Sequence, residues 1–480
     1  MTRRLLGPAL ALVLLLLPWA APVARPLTPE IEQAFARESV PLDAVSIVIQ
    51  EAGSGHSQVA LNPGKAMNPA SVAKLLTTYA ALDELGPAFT WKTPVWFGGP
   101  VRDGVLEGSL YLQGRGDPKL TLERLWLAVQ RVRQMGVTEI RGDIVLDQTA
   151  FVLPEGSTGE FDNEPLRPYN ARAQALLLNL STVIYTFTPD VARGVATVSA
   201  EPALDGLVVD ATVPLASGPC NDWRAGLKPS LGDPARLQFG GNFPAACGER
   251  VWPLAHADAR LYAQRLVATL WREAGGRLSG SVREGAAPQG PMPTFELTSP
   301  PLADVVRDIN KFSNNVMAQQ LFLTFALQRS AGARVGVEDA REALRRWLAD
   351  RLGEPLDGVV IDNGSGLSRE TRVSAHLLVH LLQRAWSSPV MPELMAALPV
   401  IGLDGTLRRS RAMAGRAHLK TGSLRDVAGV AGYVLGSSGR RYVLVALVNH
   451  PNANAARPAL DALVQWTMND LSPRLATGKP

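Results

Sequence analysis

The apolar pattern assigns strands to both ends of the chain. Near the N-terminus, Ala44-Val45-Ser46-Ile47-Val48-Ile49-Gln50 reads as a strand, Ser54-Gly55 as the turn after it, and Ser57-Gln58-Val59-Ala60-Leu61 as its neighbour. Near the C-terminus, Val427 to Leu435, the turn Gly436-Ser437-Ser438-Gly439 and Tyr442 to Val448 predict a β-hairpin, and Arg457 to Met468 a closing helix. The two sets of strands are expected to share one antiparallel sheet. The body they build is then split by everything between them.

Helical periodicity appears first in Lys74-Leu75-Leu76-Thr77-Thr78-Tyr79-Ala80-Ala81-Leu82, with Pro69 suited to the first turn and Gly86-Pro87 ending the run. From about Trp91 to Phe295 the chain is strand-rich, with many Gly and Pro turns, and reads as an insertion. Within it, Leu122 to Met135 predicts a helix leading through Gly136 into a strand from Val137 to Asp147. Ala259 to Ala274 repeats the arrangement through Gly275-Gly276 into Leu278 to Val282. The two units are expected to pair in one α/β subdomain, with a nested β module of short alternating segments between them. From Leu297 the chain returns to helices, opened by Ser299-Pro300-Pro301-Leu302, then Gly336 to Leu352 and Ser374 to Ala385. The resulting division is 1–24 leader, 25–90 first part of the main body, 91–185 insertion, 186–253 nested module, 254–295 insertion again and 296–480 second part of the main body.

Composition bounds the function. With 480 residues, 46% of them apolar, the chain can bury more than one core. Arg3 and Arg4, the apolar run Leu5 to Leu17, and small residues at Ala20, Ala21 and Ala24 predict an export signal. No later stretch offers the roughly 20 apolar residues of a spanning helix, so at most peripheral membrane association is expected. Losing Arg3 and Arg4 lowers the formal charge of +4 by two, and no basic run suggests nucleic acid. Cys220 and Cys247 stand outside any CxxC or Cys/His cluster, which argues against zinc or redox work, and no cofactor is expected. They are either a disulfide or two buried thiols, and export favours the disulfide. Only eight of the 48 basic residues are lysines. Lysine can lose its proton when buried, whereas arginine does not.

Three of those lysines fall in or beside short strings that follow one another along the chain: Ser71-Val72-Ala73-Lys74, Lys311 just before Ser313-Asn314-Asn315, and Lys420-Thr421-Gly422. Each string alone is close to chance; in this order they point to serine acyl transfer. On a helix, residues i and i+3 share a face, so the Ser71 hydroxyl and Lys74 amine can meet. A neutral Lys74 would take the Ser71 proton, provided burial and the second cation Lys420 depress its pKa. Asn315 is placed to hold Lys74 and a substrate amide. Lys420-Thr421-Gly422-Ser423 begins a predicted strand on which an extended peptide could pair. Other candidates fare worse. His376 and His380 have zinc spacing but lack the Glu of a metalloprotease motif, His418 suits a structural role at least as well as a cleft one, and Gly114-Arg115-Gly116-Asp117-Pro118 completes no dinucleotide loop.

The three motifs, the segments 362–368 and 398–407, and the long insertion make the chain resemble the D-alanyl-D-alanine carboxypeptidase/endopeptidase family of low-molecular-mass, class C penicillin-binding proteins. Gln319 departs from the acidic residue expected after the second motif. The resemblance implies an α/β (α+β) fold: a serine β-lactamase-like transpeptidase domain with an antiparallel sheet flanked by helices, interrupted by one α/β and one mainly-β subdomain. It also implies a DD-peptidase acting on peptidoglycan peptides in the periplasm or the extracytoplasmic wall space, and inhibited by β-lactam antibiotics. In that reading Ser313 relays a proton to the leaving amine, Lys420, Thr421 and Ser423 bind the terminal carboxylate, and the Ser71 and Ser423 N–H groups receive the oxyanion. Asp147 and Phe151 would reach the substrate from the insertion, a role weighed against that of a simple strand-ending turn. Alternatives are a β-lactamase or esterase on the same scaffold, and a non-catalytic wall-binding protein. The absence of a Glu-x-x-x-Asn string between Asn315 and Lys420 counts against a class A-type lactamase, and the intact motifs count against a pure binder.

Overall fold

The computed structural model describes residues 25–331, 333–353, 355–410 and 412–471; the predicted export signal lies outside them. Its central sheet unites the two ends of the chain as expected. The strands run in the order Ser57–Leu61, Val45–Glu51, Arg441–Asn449, Val427–Leu435 and Ala417–Leu424, every neighbour antiparallel. Side-chain alternation divides this sheet between two cores. Val443, Val445 and Leu447 face a thick helical layer that includes Lys74–Leu85, Leu302–Lys311 and Asn315–Arg329. Leu444, Ala446 and Val448 face the opposite side, where residues of the helices Pro29–Arg37 and Arg457–Met468 pack. With both faces covered, these strands read as nearly unbroken apolar runs.

The insertion leaves and returns at one place, because its entry strand Lys92–Phe97 pairs antiparallel with its exit strand Phe295–Thr298. The two helix-glycine-strand units do pair, through Ile140 with Leu278 and Ile144 with Val282, both parallel. Each unit carries two short strands rather than one, at Glu139–Ile140 and Ile144–Asp147 and at Arg277–Leu278 and Val282–Glu284, and these enter different sheets. Between the units, Thr182–Asp190 lies flanked by Val195–Glu201 and Arg250–Ala255 over a core of Phe187, Trp223, Phe239, Phe243 and Trp252. Cys220 and Cys247 form a disulfide there. Among the described residues no helix is long and apolar enough to cross a membrane.

Candidate active site

The site lies where the first helix of the layer meets the edge strand Ala417–Leu424. The predicted helix start is in fact a 3₁₀ turn, Ala70–Ala73, followed by an α-helix from Lys74 to Leu85. The tighter winding eclipses residues i and i+3, which improves the alignment of Ser71 with Lys74. Lys74 Nζ donates to Ser71 Oγ at 2.9 Å, to Asn315 Oδ1 at 2.6 Å and to the Ser365 carbonyl at 2.6 Å. All three acceptors are neutral. Burial first, and then the charge of Lys420, push the Lys74 ammonium well below its usual range.

Two close approaches hold the turn. Gly366, at φ +75°, lies so near that a Cβ there would stand 1.9 Å from the Ala70 carbonyl oxygen. Gly422 packs from the strand, where a Cβ would come within 2.4 Å of the Pro69 carbonyl oxygen. Neither position admits a side chain without displacing Ser71.

Lys420 faces the same space from the strand. Its Nζ donates to Ser313 Oγ at 2.9 Å and to the Thr421 carbonyl at 2.7 Å, and burial pushes its pKa down to about 7. Ser313 adopts φ +56° in the link between the helices ending at Lys311 and starting at Asn315, and Asn314 caps the second helix through Met317 N. Lys311 is buried and paired with Asp404 at 2.6 Å. Asp404 belongs to the segment 398–407, whose Thr406 hydroxyl lies 2.7 Å from that of Thr421. The start of this segment covers the strand edge only through Leu419, by Leu419 N to the Pro399 carbonyl and Ile401 N to the Ala417 carbonyl. Beyond that point, alternation directs the backbone groups of Thr421 and Ser423 to the uncovered edge. An extended peptide could pair there.

Ser71, Lys74, Ser313, Asn315, Lys420, Thr421, Gly422 and Ser423 therefore converge. Asp147 and Phe151 do not. The Asp147 carboxylate is fully buried and accepts from Thr149 N at 2.8 Å, Ala287 N at 2.9 Å and Gln113 Nε2 at 3.1 Å. Burial raises its pKa, but these bonds outweigh it and the net shift is downward. Phe151 packs into the core of the main body and bridges to Val335. In this structure their partners are structural: Asp147 ties the insertion together and Phe151 joins it to the main body. The insertion reaches the site elsewhere, where Asn315 Nδ2 donates to the Tyr169 carbonyl at 3.4 Å. His418 Nδ1 lies 3.1 Å from the Met395 carbonyl, a structural contact, and no metal-holding group of His, Cys, Asp and Glu occurs among the described residues.

Sequence reasoning missed the Ser365 carbonyl, Thr406 and the pair Asn454 and Arg457. Ser423 Oγ donates to Asn454 Oδ1 at 2.7 Å and accepts from Arg457 Nη2 at 3.2 Å. Ser365 and Thr406 lie in the strings 362–368 and 398–407 already noted as family-like, which were the available signals.

A serine hydroxyl against a buried lysine whose charged form burial disfavours, on this sheet and helix layer, defines a serine hydrolase of the penicillin-binding-protein fold. The chain belongs to the D-Ala-D-Ala carboxypeptidase 3 (S13) family, whose model matches residues 27–470. A D-alanyl-D-alanine carboxypeptidase of Actinomadura sp. strain R39 is 30% identical over 439 residues, covering 85% of this chain and 78% of the relative. The crystal structure of penicillin-binding protein 4 from Haemophilus influenzae superposes with a TM-score of 0.77 at 22% identity, covering 92% of this chain and 99% of that one. The same protein complexed with a β-lactam gives 0.73 at 21% identity, with the same shares covered.

Proposed function

We propose that this chain is a serine DD-peptidase that cleaves D-Ala-D-Ala peptides of peptidoglycan through an acyl-enzyme on Ser71. The observation that carries the reading is the buried Lys74 amine 2.9 Å from the Ser71 hydroxyl, with no carboxylate among its partners. A neutral Lys74 takes the Ser71 proton as Oγ attacks the penultimate D-Ala carbonyl, and the N–H groups of Ser71 and Ser423 receive the oxyanion. Each such donor contributes about 2.7 to 4 kcal/mol. Asn315 holds Lys74 and the substrate amide. Ser313, in contact with Lys420, passes a proton to the leaving D-alanine nitrogen; Lys420 and Thr421 bind its carboxylate. An arriving carboxylate favours the charged form of Lys420. Water then releases the acyl group. A β-lactam ring offers a strained amide in the same place and acylates Ser71.

The cross-linked peptide of the wall is a substrate of the same chemistry, and the enzyme acts outside the cytoplasm, where the predicted export signal would deliver it. Incubation with a fluorescent penicillin labels the wild type and not Ser71→Ala, and the wild type releases D-alanine from a D-Ala-D-Ala pentapeptide. An unlabelled wild type would overturn the acyl-enzyme; rapid loss of label without D-alanine release would assign a β-lactamase instead.

A further inference from the structure

The hydroxyl of Ser423 has no proton left for a ligand. It gives that proton to Asn454 Oδ1, and the orientation of the Asn454 amide is set by its Nδ2, which donates to the Leu424 carbonyl at 2.6 Å and the Arg425 carbonyl at 2.9 Å. The group that remains available beside Ser423 is the guanidinium of Arg457. One of its nitrogens touches Ser423 Oγ at 3.2 Å and Asn454 Oδ1 at 3.4 Å. Arg457 is exposed and opens the helix Arg457–Met468, so it stands at the positive end of that helix. Among the described residues no carboxylate lies within ion-pair distance of it, although a guanidinium has five N–H donors to fill.

We propose that Arg457 is a specificity-determining residue that binds the terminal carboxylate of the peptide substrate, and that Asn454 is a positioning residue that holds Ser423 and Arg457 together. An extended peptide on the uncovered edge carries its terminal carboxylate along Thr421 and Ser423, within reach of the guanidinium. A planar, permanently charged fork suits a carboxylate better than a hydroxyl does. This inference rests on the DD-peptidase reading and refines which residues recognise the leaving D-alanine.

The test compares one D-Ala-D-Ala peptide as its free acid and as its C-terminal amide. In Arg457→Gln the ratio of kcat/KM for acid over amide falls about ten-fold or more, mostly through KM, and Arg457→Lys recovers part of the loss. Arg102→Gln, which removes the same charge from the insertion, leaves the ratio at the wild-type value. A ratio unchanged in Arg457→Gln overturns the assignment. A wild type that takes no penicillin label and cleaves neither peptide overturns the DD-peptidase reading, and this inference falls with it.

Discussion

Two lysines of the main body are treated unlike three arginines of the insertion. In the insertion Arg141, Arg277 and Arg283 keep 60%, 72% and 52% of their side chains exposed and pair with Glu107, Glu139 and Asp143. In the main body Lys74 and Lys420 are wholly buried and bond only to neutral oxygens. An exposed pair contributes roughly 0 to 1 kcal/mol, whereas an unpaired buried charge costs several kcal/mol unless it sheds its proton. Charges that a fold merely tolerates stay in water. Those it buries without a carboxylate have their charged forms disfavoured, and Lys311, buried but matched by Asp404, stands between the two treatments.

The strongest way to break this contrast is to deny Lys74 the option of neutrality. Lys74→Arg keeps the charge, but a guanidinium does not deprotonate and so cannot take the Ser71 proton. Labelling by fluorescent penicillin is expected to fall about 10²- to 10⁴-fold, the range for removing a general base. Circular dichroism should report a folded chain. A variant that acylates at the wild-type rate would remove Lys74 from the role of base.

A smaller effect follows from Lys420, whose pKa stands near 7 when folded and near the lysine value of 10.5 when unfolded. Between those values the unfolded chain binds more protons than the folded one, so stability rises with pH across the window from about 7 to 10.5 and is lost as pH falls through 7. Lys74, shifted in the same direction, adds to the trend. Thermal unfolding is therefore expected at higher temperature at pH 9 than at pH 6. Lys420→Met, which has nothing to protonate, should narrow that gap. An equal gap in the variant would mean that Lys420 titrates normally in the folded chain.

The uneven legibility of the sequence has physical causes. The central sheet was readable because its strands are long, apolar and punctuated by turns, and the three motifs because each confines its chemistry to a few adjacent side chains. The helix Asn315–Arg329 gave no periodic signal, since it is buried on nearly every face and an apolar surface all round has no stripe. Ser365 contributes a backbone carbonyl, which every residue has, so nothing in its side chain announces the bond to Lys74. Asp147 looked like a strand-end acid free to reach a ligand. Its partners Gln113 and Ala287 lie far away in the chain, and only folding brings them around it. Asn454 and Arg457 were hidden for the same reason: they meet Ser423 across a gap of about thirty residues.

The smallest expected effect lies on the other side of the comparison. Arg141 and Glu107 make a good contact at 2.7 Å, yet the arginine is mostly in water, where its attraction is screened and its side chain gives up entropy to hold the pose. A double-mutant cycle of Arg141→Gln and Glu107→Gln, followed by chemical denaturation, should give a coupling of about 0 to 1 kcal/mol that shrinks as salt is added. Penicillin labelling should match the wild type in all three variants, since neither residue touches the cleft. A coupling well above that range, insensitive to salt, would mean that Arg141 and Glu107 interact under low-dielectric conditions despite their exposure, and side-chain exposure would then be a poorer guide to what a charge contributes.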